Sequence, residues 1–453
     1  MDIHRNEAQP GYGITRRRIL GGALAVAAGL ATSTSGGAAL ASSRRDRVRL
    51  TMPAPTGPHD IGTVSLHLVD HTRQDPWLTT PQPRELMVSL WYPARGASSG
   101  HLAPWMTPGA LAHYRSELTA FLNEPTGPDA PPPPPERSEA ADGSDQVSLD
   151  GVDFPITHAR HAAPVERFAH PRPVVLFSPG FAFDREHGTF VAEDLASHGY
   201  VVVTVSHTYD AKEVEFPGGR VELGKHDLDH LPHRAMQIRR ADTRFVLDKL
   251  ADLNTGAAAD RQHHGLPVGL RGSLDLGRVG MFGHSLGGAT TAQAMANDPR
   301  VRAGVNLDGS FFPDVDALEA GPEVVEKELT QLAHRIGNRP FMIMASGGFG
   351  PDYFGDLMST VWYNLHGWRR FVSIVGSTHF TYTDLLPLLA DLEANGILSE
   401  DPQIGVGLDP DRAVAIIRAY IRAFFDRWLR NRQTHLLDGP SDQYPEAKFY
   451  PPA

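Results

Sequence analysis

The sequence predicts an α/β fold with a mostly parallel central sheet and helices on both faces. Three observations predict it. Near-continuous apolar runs, such as Pro173–Ser178 and Tyr200–Val205, fit strands buried on both faces, as parallel strands are. Between them Phe190, Val191 and Leu195, closed by Gly199, take helical spacing, so strand, helix and strand fit within about 35 residues as a βαβ unit. Third, Gly283-His284-Ser285-Leu286-Gly287 lies between the apolar run Arg278–Phe282 and the small-residue stretch Gly288–Ala296. That is the strand–turn–helix setting in which G-x-S-x-G has a mechanical meaning.

Composition narrows the class. With 453 residues the chain holds one large domain or two ordinary ones, and 41% hydrophobic with 21% charged residues is a globular composition. A net charge of −11 argues against nucleic acid and against an anionic membrane surface as partners. The chain has no cysteine, which excludes disulfides, thiol catalysis, Cys-zinc sites and a lipidated N-terminal cysteine.

The N-terminal stretch has the form of a targeting segment. Thr15-Arg16-Arg17-Arg18-Ile19-Leu20 matches a twin-arginine signal. The apolar run Ile19–Leu30 is too short and too rich in Gly and Ala to be a stable membrane span. Ala39-Leu40-Ala41 is an A-x-A site. Residues 1–41 are therefore expected to be a bacterial twin-arginine signal peptide, and the mature chain to be secreted. Residues 42–58, rich in Arg, Pro and Gly, read as a linker before a single domain over 59–453.

Within that domain Thr63–Val69 and Glu85–Tyr92 alternate apolar and polar residues, predicting an antiparallel pair at the start of the sheet. Leu111, Tyr114, Leu118 and Phe121 share one helix face, so residues 107–122 form either a core helix or a lid. Residues 123–149, with Pro131 through Pro135, read as an extended, disordered insertion. Glu213–Phe216 and Arg220–Leu223 around Pro217-Gly218-Gly219 predict a hairpin. His226, Asp227, Asp229, His230 and His233 follow without a recognisable metal-site signature. An amphipathic helix is expected over 233–250. Strands are expected at Val301–Leu307, Phe341–Ala345 and Phe371–Val375, and a closing helix from Ala413 through Leu429. This alternation defines an α/β-hydrolase-type domain.

A serine hydroxyl is a weak nucleophile, and it needs a base oriented by an acid. On this fold the chain order is Ser, then Asp or Glu, then His, at the C-terminal ends of strands. Ser285 sits in the turn, Asp308 ends the next strand, and His379 follows the last one in Gly376-Ser377-Thr378-His379. Asp314 and Asp316 lie deeper in the loop and are weaker candidates. His284 is placed beneath the turn, unable to reach its neighbour's hydroxyl. Two backbone N–H groups must hold the developing oxyanion, and Phe181 and Leu286 occupy the expected positions. Phe311 and Phe312 follow Asp308, and Phe181 and Phe183 stand in the oxyanion loop. If these rings line the acyl pocket they restrict it to short chains; otherwise Phe311 and Phe312 fill the core. No cofactor or metal is required.

Several stretches resemble the plasma-type platelet-activating factor acetylhydrolase family and its bacterial esterase and lipase relatives. They are Ser89–Pro93, Val175–Phe183, Asp194-Leu195-Ala196-Ser197-His198-Gly199-Tyr200, Gly283–Thr290, Leu307-Asp308 and Gly376–His379. The resemblance implies Ser285, Asp308 and His379 as the triad, with Phe181 and Leu286 at the oxyanion hole. It implies a serine ester hydrolase acting on a small ester or phospholipid. The chain departs from the family in Pro179-Gly180, where His-Gly is frequent, and in Leu286, where Phe is common. Alternatives on the same fold are a triglyceride lipase, a cutinase-like polyester hydrolase and a serine peptidase. A catalytically dead fold that binds a ligand is the alternative from another class.

Overall fold

A strand covered on both faces must be apolar at consecutive positions, and that pattern marks the centre of this molecule. The computed structural model describes residues 47–96, 100–123, 146–226, 231–257, 260–261, 265–398 and 407–450. In chain order the strands are β1 (Val48–Arg49), β2 (Asp60–Gln74), β3 (Pro83–Ala94), β4 (Leu102–Pro104), β5 (Val152–Asp153) and β6 (Ile156–His161). Next are β7 (Arg172–Ser178), β8 (Val201–Ser206) and the hairpin β9 (Glu213–Phe216) with β10 (Arg220–Leu223). Then come β11 (Leu274–His284), β12 (Val301–Leu307), β13 (Phe341–Ser346), β14 (Arg369–Ile374) and β15 (Ala447–Tyr450).

One 11-stranded sheet runs in the order β15-β14-β13-β12-β11-β7-β8-β3-β2-β6-β4. From β14 to β8 every neighbouring pair is parallel. β15 closes one side antiparallel, and β2 and β3 form the expected antiparallel pair on the other. Successive residues of a strand face opposite ways. Thus Val175, Phe177 and Phe282 join the core under the helices Thr189–Ser197, Leu385–Ala394 and Pro410–Arg430. Val174, Leu176 and Met281 join the core under Leu231–Thr255, Leu286–Asn297, Pro322–Ile336 and Asp356–Asn364. The closing helix is fixed at both ends. Asp409 accepts the Arg412 N–H at 2.9 Å, Pro410 opens the first turn, and Asn431 takes the left-handed conformation at φ 54°.

Local composition misleads at two places. The stretch read as a linker, 42–58, belongs to the domain from Arg47 onward. Leu50 and Met52 are buried, and Thr56 and Gly57 donate to Asp194 and Ser197. The Arg418 guanidinium donates to the carbonyls of Pro53 and Ala54. These are long-range polar bonds, which a Pro- and Gly-rich sequence does not advertise. The insertion read over 123–149 is likewise anchored at both ends. Asn123 exchanges hydrogen bonds with the Val147 backbone at 2.8 Å, and Leu149 is buried. Residues 124–145 lie outside the described residues.

The helix Pro108–Asn123 is a core helix at its start and reaches the site at its end. Ala110, Tyr114 and Leu118 are buried, Tyr114 edge-on to Trp105, Phe154 and His187. Phe121, more exposed, meets Phe380 with ring centroids 6.4 Å apart. The helix expected over 233–250 runs from Leu231 to Thr255. Among the described residues no helix is long and apolar enough to cross a membrane.

Candidate active site

β11 delivers Ser285 into a turn with φ 53° and ψ −121°, a conformation L-residues avoid, and the helix Leu286–Asn297 begins at the next residue. The flanking glycines are steric necessities. A Cβ on Gly283 would stand 2.2 Å from the Gly287 carbonyl oxygen, and one on Gly287 would stand 1.9 Å from that of Ser178. Ser285 N–H donates to Leu307 O at 2.9 Å, tying the turn to the end of β12.

Asp308 follows β12 directly, also at positive φ, 53°. Its neighbour Gly309 passes against the serine turn, where a Cβ would lie 2.1 Å from Ser285 O. Buried Asn306 holds that crossing by bonding both the N–H and the carbonyl of Gly309 at 2.8 Å. Asp308 accepts from the Ser346 N–H at 2.7 Å, from Ser346 Oγ at 3.0 Å and from His379 Nδ1 at 2.7 Å. Burial works to raise the Asp308 pKa, but its bonds from His379 and Ser346, with the histidine's charge, outweigh it and leave the carboxyl below its ordinary value. The bond to Asp308 fixes the His379 tautomer, with the proton on Nδ1 and the lone pair on Nε2. His379 itself is 41% exposed while Asp308 is 6% exposed, so the base meets solvent and the acid does not.

His284 lies under the turn, fully buried, with its ring against that of His379 and Nε2 on the His379 carbonyl. The structure thereby brings Ser285, Asp308 and His379 to one edge of the sheet. It does not bring Asp314 there. Asp314 faces Arg240 at 3.7 Å and precedes the helix Val315–Ala320, and Asp316 is exposed.

The proposed oxyanion donors flank the serine. Leu286 opens its helix, and Phe181 is the third residue of the loop after β7. Neither N–H is given to an acceptor among the described residues. Gly180 runs close over the serine, where a Cβ would sit 3.4 Å from Ser285 Cβ and 3.0 Å from His284 Nδ1. Ala182, two residues on, is at positive φ, 58°.

The rings divide differently from the expectation that Phe311 and Phe312 both line the pocket. Phe311 is fully buried in the core beneath the sheet. Phe312 stays half-buried, edge-on to His233 at 5.4 Å, in a cluster with Trp77, Phe181 and Leu286. Phe183 stacks on Phe380 at 6.1 Å on the other side. Of the histidine-rich stretch, His226 bonds Asp210 O and His233 bonds Pro313 O. Residues 227–230 lie outside the described residues.

Sequence reasoning misses three polar residues that frame the site: Ser346 on Asp308, and Arg239, paired with Asp210, on the Pro179 and Gly180 carbonyls. Ser346 ends β13 as the polar stop of an apolar run, which is a legible signal. Arg239 and Asp210 give no local signal.

A strained serine turn after a parallel strand, with an Asp–His pair beyond later strands, defines the α/β hydrolases. The family model for platelet-activating factor acetylhydrolase, isoform II, matches residues 149–430, and the chain belongs to this family. A relative from Arthroderma benhamiae, named probable 1-alkyl-2-acetylglycerophosphocholine esterase, is 27% identical over 420 residues, covering 88% of this chain and 93% of that protein. The platelet-activating factor acetylhydrolase of Canis lupus familiaris is 22% identical over 309 residues, 59% of this chain and 62% of that protein. Among solved structures, a ferulic acid esterase from Streptomyces cinnamoneus is 33% identical with a TM-score of 0.66, covering 88% of this chain and 99% of that one. The chain is an ester hydrolase by family and fold.

Proposed function

We propose that this chain is a secreted serine carboxylic-ester hydrolase that cleaves short acyl esters through an acyl-enzyme. Ser285 Oγ attacks the ester carbonyl carbon while its proton passes to His379 Nε2. The carbonyl oxygen gains negative charge and accepts the N–H groups of Phe181 and Leu286. The C–O bond to the alcohol then breaks, and His379 returns the proton to the leaving oxygen. Water, deprotonated by the same ring, attacks the acyl-enzyme. The acid departs and Ser285 recovers its proton. Asp308 keeps Nε2 available as the base and stabilises the imidazolium that forms.

The observation that carries this reading is the 2.7 Å bond between Asp308 and His379 beside a serine held at φ 53°. The twin-arginine stretch at Arg16-Arg17 supports export. The acetyl group in the relatives' names and the half-buried rings of Phe181, Phe183 and Phe312 support a short acyl pocket. Each methylene without room there forfeits roughly 0.8 kcal/mol of burial.

A second reading, an ester of an aromatic acid, is favoured by the 33% identity to the ferulic acid esterase. Catalytic efficiencies on p-nitrophenyl acetate, butyrate, octanoate and palmitate, with methyl ferulate alongside, separate the readings. The short-acyl proposal requires a maximum at acetate or butyrate. A maximum at octanoate or longer moves the enzyme toward the lipases, and a preference for methyl ferulate establishes the second reading.

A further inference from the structure

We propose that Arg239 is a positioning residue that aims and polarises the oxyanion donor of Phe181, working through the Gly180 carbonyl. The inference rests on the serine reading above and goes beyond it. Arg239 lies on the helix Leu231–Thr255 and is fully buried. All five of its N–H groups are engaged. Nε and Nη2 hold the Asp210 carboxylate, Nε at 2.7 Å. Nη1 donates to the Pro179 carbonyl and, at 3.4 Å, to Ser178 Oγ. The second Nη2 proton goes to the Gly180 carbonyl at 2.8 Å.

That last bond reaches the chemistry. In a trans peptide the carbonyl oxygen and the next N–H point in opposite directions. Gly180 O and Phe181 N–H belong to one peptide unit. Pinning the oxygen on a buried guanidinium therefore turns the Phe181 N–H the other way, toward the serine over which Gly180 runs. A cation on the carbonyl also draws electron density through the amide and strengthens the N–H as a donor. Glycine at 180 is free to let this peptide rotate, so an outside clamp is what sets its angle. Asp210 holds the guanidinium plane in turn, itself buried and fixed by its own N–H on His207 O at 3.0 Å. A planar five-donor fork meets three acceptor groups of the loop and the carboxylate at once, which an ammonium cannot do.

The test uses the whole enzyme as expressed, with its Arg239→Lys and Asp210→Asn variants. Measured are kcat and KM on p-nitrophenyl butyrate, and affinity for a trifluoromethyl ketone that forms a hemiketal oxyanion. Active-site titration with a fluorophosphonate counts the folded fraction. Loss of one oxyanion donor elsewhere costs about 10²–10³ in kcat, so a misaimed donor should cost about 10- to 100-fold. The expected result is that fall in kcat, little change in KM, and a matching loss of ketone affinity in both variants. A merely structural ion pair would lower the active fraction and leave kcat per active site and ketone affinity unchanged, which overturns the proposal. Should neither variant fold, the wild-type ketone adduct decides by its crystal structure. The proposal stands if the oxyanion accepts Phe181 N–H while Gly180 O stays on Arg239, and falls if that peptide has turned off Arg239. If wild-type Ser285 takes neither reagent, the serine reading has failed and this inference with it. A labelled Ser285 with unaltered variants rejects Arg239 alone.

Discussion

The ring of His284 lies 4.5 Å from that of His379, centroid to centroid, and its Nε2 donates to the His379 carbonyl at 2.9 Å. A carbonyl only accepts, so the proton of His284 sits on Nε2 and its Nδ1, without a hydrogen-bond partner, is bare. Burial first, and then the charge of His379, hold the His284 pKa well below its ordinary value. A neutral ring thus braces the backbone of the proposed base from below.

His284→Phe keeps the ring and deletes the donor. It should lower kcat by about 10- to 100-fold through misplacement of His379. It should also cost about 0.5–1.5 kcal/mol of stability for the lost bond. Steady-state kinetics and urea unfolding measure the two. Unaltered kcat in a folded His284→Phe enzyme would remove the bracing role.

Asp308→Asn should lower kcat by about 10⁴-fold, because the amide no longer imposes the His379 tautomer. Asp314→Asn should leave kcat unchanged, since its carboxylate faces Arg240. Rates on p-nitrophenyl acetate test the pair, and the opposite ranking would place the acid at Asp314.

The buried carboxyls beside Glu213 should contribute stability that is lost as pH rises from about 4 to about 7. Burial lifts the Glu213 carboxyl to about 7 and the neighbouring Asp184 well above its ordinary value. His113 Nδ1 stands 2.6 Å from Glu213, with Asp184, Glu186, Glu117 and Lys212 as the other charges around it. In the unfolded chain a glutamate titrates near about 4.3. Between that pH and about 7 the folded Glu213 keeps a proton the unfolded chain has released, so its contribution to stability shrinks with each rise in pH and levels off above. Asp384, also lifted to about 7 by burial, adds a contribution of the same sign. Relative to the parent, Glu213→Gln should lose less unfolding free energy between pH 5 and 8. Curves that run parallel for the two proteins would refute this.

Much of the site is legible in the sequence because its residues sit at punctuation. Ser285 is bracketed by Gly283 and Gly287, Asp308 stops an apolar strand, and His379 follows Gly376-Ser377-Thr378. The sheet is legible for the same reason: Val174 through Phe177 must be apolar at every position when both faces are covered. What is not legible is long-range polar pairing. Arg239 and Asp210 lie 29 residues apart, and a charge within an amphipathic helix looks like a solvated face. Residues 47–58 resemble a linker because their partners, Asp194, Ser197 and Arg418, are remote in sequence. Phe311 and Phe312 look equivalent in the sequence. The chain sends the first into the core and leaves the second half-buried beside His233.

The central claim is that Ser285 is the nucleophile. Incubation with a fluorophosphonate, followed by peptide mass spectrometry, tests it most directly. One covalent adduct per chain is expected, on Ser285, formed in step with loss of esterase activity. Ser285→Ala should take no label and turn over no ester while keeping its fold. An adduct on another residue, or esterase activity surviving in folded Ser285→Ala, would contradict it.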